Sequence, residues 1–122
     1  MKAILLVEDN DDIRELYGTV LRREGYEVQE AENGQIALER LEQMHGTPCL
    51  VLLDMMMPIM SGPELLRVLH ESHRLASLPI VVLSAGGTEA DAPHAKKFIR
   101  KPVDGHVLLT VVREFCGPPP VH

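Results

Sequence analysis

Cysteine is scarce in this chain. Cys49 and Cys116 are the two present in 122 residues, too few for a disulfide framework. Cys49 falls in an apolar run and reads as a small core residue; neither thiol reads as a redox group. Positive charge is also short. Twelve Lys and Arg stand against eighteen Asp and Glu, a formal net charge of −6. That balance argues against a nucleic-acid binder, which usually shows a basic face, and against docking on an anionic membrane. No apolar stretch approaches the ~20 residues that cross a bilayer, and the N-terminus enters an apolar run without signal-peptide architecture. Neither a P-loop nor G-x-G-x-x-G is present, and there is no internal repeat. What remains is one domain of ordinary composition, 45% hydrophobic and 25% charged, expected in the cytoplasm.

What is present is an alternation of short apolar runs and helical periods, the pattern of repeated βα units around a parallel sheet. Ala3 to Val7 is a buried strand. A helix follows from about Asp12 to Glu24, with Ile13, Leu16, Tyr17, Val20 and Leu21 at i, i+3, i+4, i+7, i+8. Asp12 with Glu15 reads as its capping box, and Gly25 as its stop. Tyr26 to Ala31 is a weaker strand. Asn33 caps a second helix reaching about Met44. Cys49 to Leu53 is an unbroken apolar run, as expected for a strand buried on both faces. Ser61-Gly62-Pro63-Glu64 starts a third helix, with Leu65, Leu66, Val68 and Leu69 facing inward. Pro79 to Leu83 is a fourth strand and Phe98 to Arg100 a short fifth. Asp104 opens a last helix, with Val107, Leu108, Val111, Val112 and Phe115 inward. Between Ser84 and the fifth strand, two glycines and a proline leave room for one or two helical turns, from about Thr88 to Ala92. A crossover helix normally fills this place.

The strand ends carry the chemistry. The first ends in Glu8-Asp9, the third in Asp54, the fourth in Ser84 and the fifth in Lys101. Open α/β sheets place their ligand crevice at such ends. Carboxylates gathered there raise one another's pKa unless a cation neutralises them. An oxygen-only donor set suits Mg²⁺, which keeps several waters and leaves room for a phosphate oxygen. A carboxylate beside such an ion and a lysine is placed to receive a phosphoryl group, a transfer that mainly needs positioning and charge compensation. Ser84 and backbone N–H groups after Asp54 would supply hydrogen bonds.

Val7-Glu8-Asp9-Asn10, Leu53-Asp54-Met55-Met56-Met57-Pro58 with Met60-Ser61-Gly62, Leu83-Ser84-Ala85 and Lys101-Pro102 resemble the receiver domain of two-component response regulators. The resemblance runs from Lys2 to about Phe115, and four motifs in order make it specific. It implies a flavodoxin-like (βα)5 three-layer α/β fold, with a five-stranded parallel sheet in the order 2-1-3-4-5. It implies phosphoryl transfer from the phosphohistidine of a sensor histidine kinase, or a histidine phosphotransfer protein, onto Asp54. By position, Asp9 and Asp54 would hold Mg²⁺ directly, Glu8 through water and Met56 by its carbonyl. Lys101 would pair with the phosphoryl group, Ser84 would be the switch hydroxyl and Phe98 the aromatic switch. Such a domain is a phosphoacceptor rather than a turnover enzyme, and it acts on a downstream effector protein.

One region departs from the family pattern. The segment from Ser84 to Lys101 is several residues short and loses most of the family's fourth helix, which usually contributes to output and dimerisation. A monomer or weak dimer is expected. Met56 and Gly86 stand where phosphate lifetime is tuned in the family, and neither can hold an attacking water with its side chain, so no unusually fast self-hydrolysis is expected. Residues 1–116 read as the receiver and 117–122 as a Pro-rich tail or linker stub.

Other readings fit less well. A phosphatase of the haloacid dehalogenase type would want an acid two positions after the nucleophile, where Met56 stands. A flavodoxin-type cofactor binder would want a glycine- and hydroxyl-rich loop where Glu8-Asp9-Asn10-Asp11-Asp12 would repel phosphate. An interaction module independent of phosphorylation stays open because of the shortened segment. Phe98 reads equally as a packed aromatic. The methionines read as packing, and His70, His73, Lys96, Lys97 and Arg100 as solvated surface.

Overall fold

The computed structural model describes residues 3–119. Pro120 to His122 of the expected tail, and Met1 and Lys2 of the expected receiver, lie outside that range. Five strands, β1 (Ile4–Val7), β2 (Val28–Ala31), β3 (Leu50–Asp54), β4 (Ile80–Ser84) and β5 (Lys97–Arg100), form one parallel sheet in the order β2-β1-β3-β4-β5. Four helices connect or follow them: α1 (Asp11–Arg23), α2 (Gly34–Gln43), α3 (Gly62–Glu71) and α4 (Gly105–Cys116). This is the flavodoxin-like architecture expected, with the crossover between β4 and β5 reduced to the 3₁₀ turn Glu89–Asp91. The last helix, α4, is thus the counterpart of the family's fifth.

The unbroken apolar runs follow from burial on both faces. Strand side chains alternate, so Leu5, Val7, Val51, Leu53, Ile80 and Val82 join one core with α2 and α3. Ile4, Leu6, Leu50, Leu52, Val81 and Leu83 join a second with α1 and α4. Helix starts follow local chemistry. Asn10, not Asp12, caps α1 by accepting from the Ile13 amide. Asn33 and Asp104 cap α2 and α4 in the same way. Ser61 and Glu64 form a reciprocal capping box on α3. Two residues expected to face inward do not: Leu16 is 59% and Val107 39% exposed. Both lie on the margin of an apolar stripe that is narrower than the sequence period suggests.

The cysteine reading is corrected. Cys49, just before β3, is disulfide-bonded to Cys116, the last residue of α4, with Cα atoms 5.3 Å apart. Sixty-seven positions separate them. Only the sheet order, which lays α4 across β3, brings them together. Beside them, the Tyr26 hydroxyl donates to the Gly117 carbonyl at 2.7 Å. Both contacts pin the end of α4 to the edge of the sheet opposite Asp54.

The short β4–β5 crossover is held by side chains. His94 stacks on His70 of α3, ring centroids 3.6 Å apart. Arg100 donates to the Gly87 carbonyl at 2.6 Å and lies over the Phe98 ring. Lys97 pairs with Glu114 of α4 at 3.2 Å. His70, Lys97 and Arg100 therefore have partners that the reading as plain solvated surface did not include.

Candidate functional site

The parallel strands end at one edge, and their registers set the site. Val7 lies beside Leu53, Asp54 beside Leu83, and Ser84 beside Arg100. One residue further along β1 and β5 come Glu8 and Lys101. Glu8, Asp9 and Asp54 each offer a carboxylate oxygen, and these oxygens lie within 4.8 Å of one another. Asp54 is 5% and Glu8 2% exposed, whereas Asp9 faces solvent. The Lys101 ammonium bonds Glu8 and stands 3.4 Å from Asp54 Oδ1. The Lys101–Pro102 peptide is cis.

The Met56 amide donates to Asp54 Oδ1 at 3.3 Å, while its side chain is exposed. Ser84 is fully buried. Its hydroxyl donates to the Gly86 carbonyl at 2.7 Å and accepts from the Gly86 amide, so it closes its own turn. Phe98 packs on the α2–α3 side of the core. Glu8, Asp9, Asp54, Lys101 and the Met56 backbone are thus brought together. Ser84 sits at the next strand end, and Phe98 is turned to packing.

The loop after β3 is shaped by two backbone features. Ile59 has φ 67 and lies in a tight turn closed by the Met60 amide on the Pro58 carbonyl at 2.7 Å. Gly62 lies so close beneath that a Cβ there would meet Asp54 O at 2.8 Å and Met55 Cα at 2.6 Å. Any larger residue would push on the backbone of Asp54 itself.

Charge follows the geometry. Burial pushes the Asp54 carboxyl up to about 7 from 3.8, helped by hydrogen bonding with Asp9 and Glu8 and by the Glu8 charge; Lys101 pulls it down. Burial pushes the Lys101 ammonium down, but Glu8 and then Asp54 outweigh it, and its pKa ends raised. Three acids crowd one corner, where among the described residues one ammonium, that of Lys101, reaches two of them, so the corner favours further positive charge. The donors are all oxygen, and two of the three carboxylates are buried. This set fits Mg²⁺ and gives a soft metal no thiolate or imidazole.

Arg14 was missed by reading the sequence. Its guanidinium donates to the Glu8 carbonyl at 2.8 Å. The available signal was the spacing of Arg14, Gly18 and Arg22 along one helix face.

Comparison with known proteins matches residues 4–113 to the response regulator receiver domain. The chain is 35% identical over 119 residues to hybrid signal transduction histidine kinase M of Dictyostelium discoideum, covering 91% of this chain and 5% of that protein. It is 33% identical over 117 residues to the transcriptional regulatory protein GltR of Pseudomonas aeruginosa, covering 92% and 48%. The chain therefore spans half or less of these relatives. Among solved structures, response regulator TrrA of Thermotoga maritima in complex with Mg²⁺ and BeF superposes with a TM-score of 0.81 at 32% identity, covering 94% of this chain and 99% of that one. With the family model spanning the whole sheet, the first three helices and most of α4, the chain belongs to the response regulator receiver domain family.

Proposed function

We propose that this receiver domain takes a phosphoryl group onto Asp54 from the phosphohistidine of a sensor histidine kinase or a histidine phosphotransfer protein. The observation that carries this reading is the buried carboxylate of Asp54 flanked by Glu8, Asp9 and Lys101. An Asp54 oxygen attacks phosphorus, the P–N bond breaks, and its electron pair returns to the donor imidazole. Asp54 must be ionised to attack, yet burial holds its proton to about pH 7. Asp9, Asp54, the Met56 carbonyl and, through water, Glu8 would hold Mg²⁺, which when bound supplies charge that favours the ionised carboxylate and the phosphoryl oxygens. Lys101 neutralises the oxygens facing β5. The Met56 amide orients Asp54. Ser84 would leave Gly86 to meet the phosphate, and Phe98 would follow it inward.

The domain acts stoichiometrically, as a switch rather than a turnover catalyst, and passes its state to an effector protein. Residues 1–116 act as the receiver and 117–122 as a tail or linker stub. No described helix is long and apolar enough to cross a membrane. We place the domain in the cytoplasm with its kinase; the Cys49–Cys116 bond weighs against that, because disulfides are rare there. Blocking free thiols in intact cells, then counting them, decides the point.

Acetyl phosphate with Mg²⁺ is expected to phosphorylate the protein, and chelation or Asp54→Ala to abolish uptake. Label retained at the native rate by Asp54→Ala would overturn the assignment.

A further inference from the structure

Arg14 breaks a local rule. It occupies the first turn of α1, where the helix dipole favours acids and where Asp11 and Asp12 stand. A cation placed against the dipole needs a tertiary reason. Its side chain is 18% exposed, and each arm of the guanidinium has a partner. Nη1 donates to the Glu8 carbonyl at 2.8 Å, Nη2 meets Asp11 Oδ1 at 2.6 Å, and Nε faces Glu30 Oε1 of β2 at 3.5 Å. The other Glu30 oxygen takes Arg22 at 2.8 Å. Glu30 thus lies between two arginines two turns apart. The residue between them is Gly18, where a Cβ would stand 3.1 Å from Arg22 Nη1 and 3.4 Å from Glu30 Oε2. A glycine in mid-helix is less favourable than alanine; here it gives the carboxylate its path.

The carbonyl that Arg14 grips belongs to the peptide joining Glu8 to Asp9. That peptide decides how the two carboxylates point. Glu8 turns inward to Lys101, and Asp9 turns outward over Asp54. A planar guanidinium holding the peptide at one end and β2 at the other fixes this divergence as an ammonium could not.

We propose that Arg14 is a positioning residue for the acidic site: by anchoring the Glu8–Asp9 peptide to β2 through Glu30, it sets the spacing of the three carboxylates and with it the affinity for Mg²⁺. The inference rests on the reading of the site as an Mg²⁺-dependent phosphoacceptor. Arg22 provides the control, since it shares Glu30 but its other polar partner is the Val28 carbonyl of β2 rather than the acidic loop.

Mg²⁺ titration of the full chain, followed by amide NMR shifts without phosphodonor, tests the idea. Arg14→Ala is expected to weaken Mg²⁺ by about tenfold, the range typical when a ligand's supporting partner is removed. Its acetyl phosphate rate should recover at saturating Mg²⁺. Arg22→Ala should stay within about twofold of wild type, although both variants lose a Glu30 ion pair, and Arg14→Lys should recover only part of the affinity. Unchanged affinity in Arg14→Ala, or equal weakening in Arg22→Ala, overturns the proposal. If Arg14→Ala does not fold, Arg14→Gln carries the same comparison. A wild-type protein that neither binds Mg²⁺ nor takes up phosphate would refute the function instead, so the two failures are distinguishable.

Discussion

A carboxyl that is nearly sealed from water and faces two other acids ionises at the expense of the folded state. Asp54 has an ordinary pKa of 3.8 and one of about 7 in the fold. Below about pH 4 both the folded and unfolded forms are protonated and the group costs nothing. As pH rises towards 7, the unfolded chain releases this proton while the folded chain keeps it, so stability falls. The full shift corresponds to about 4 kcal/mol at most. Asp54→Asn should therefore match wild type near pH 4 and exceed it by a margin that grows up to about pH 7. Mg²⁺ should narrow the gap by binding the native wild type. Urea unfolding at several pH values measures this, and a pH-independent difference would contradict it. At this scale the sequence was informative: Asp54, Asp9, Glu8 and Lys101 stood out because each stands at the end of an expected strand. It could not choose between switching and packing for Phe98, or name Gly86 as the partner of Ser84, because a hydroxyl or an aromatic has several satisfactory environments and only neighbours choose among them.

Among elements, the crossover between β4 and β5 differs most in kind. Ala85 to Ala90 is exposed throughout, and the backbone bonds of the segment are local ones such as Asp91 to Thr88 and Ala92 to Glu89. Its ties to the rest run through the His70–His94 stack, the Arg100–Gly87 bond and buried Ala92. Segments with few buried contacts open at low free energy. The non-proline amides of Ala85 to Ala95 are expected to exchange with deuterium at least about tenfold faster than those of β3 and β4. Comparable protection would mean that the segment is held by more than these contacts. The shortness of this crossover was legible from Gly86, Gly87 and Pro93. The histidine stack was not, because α3 and the crossover meet only once β4 is in place. The caps on α2, α3 and α4 were legible, since each is a side chain reaching its own helix. The cap on α1 was misplaced by two residues because Asn10, Asp11 and Asp12 are all good capping residues.

For the whole molecule, the disulfide closes a long loop around the sheet. With 67 positions between Cys49 and Cys116, the loss of loop entropy in the unfolded chain is worth about 4 kcal/mol in the chain-entropy model, and typical measured values are about 2–4. Reduction should lower the urea midpoint by a corresponding amount and leave phosphate uptake by the folded protein intact, since the bond lies at the sheet edge remote from Asp54. Paired urea melts with and without a dithiol reductant measure the first effect. A stability unchanged by reduction would show that the bond contributes nothing to the fold.

The sequence by itself determined the class of fold and which acids meet at one edge of the sheet. Burial on both faces demands unbroken apolar runs, and a parallel sheet brings the ends of those runs to one edge. Tertiary structure alone decided which distant groups met. It joined Cys49 to Cys116, set Glu30 between Arg14 and Arg22, and stacked His70 on His94. Local preferences act within a few residues along the chain, whereas these contacts exist only after strand order has folded remote segments against one another.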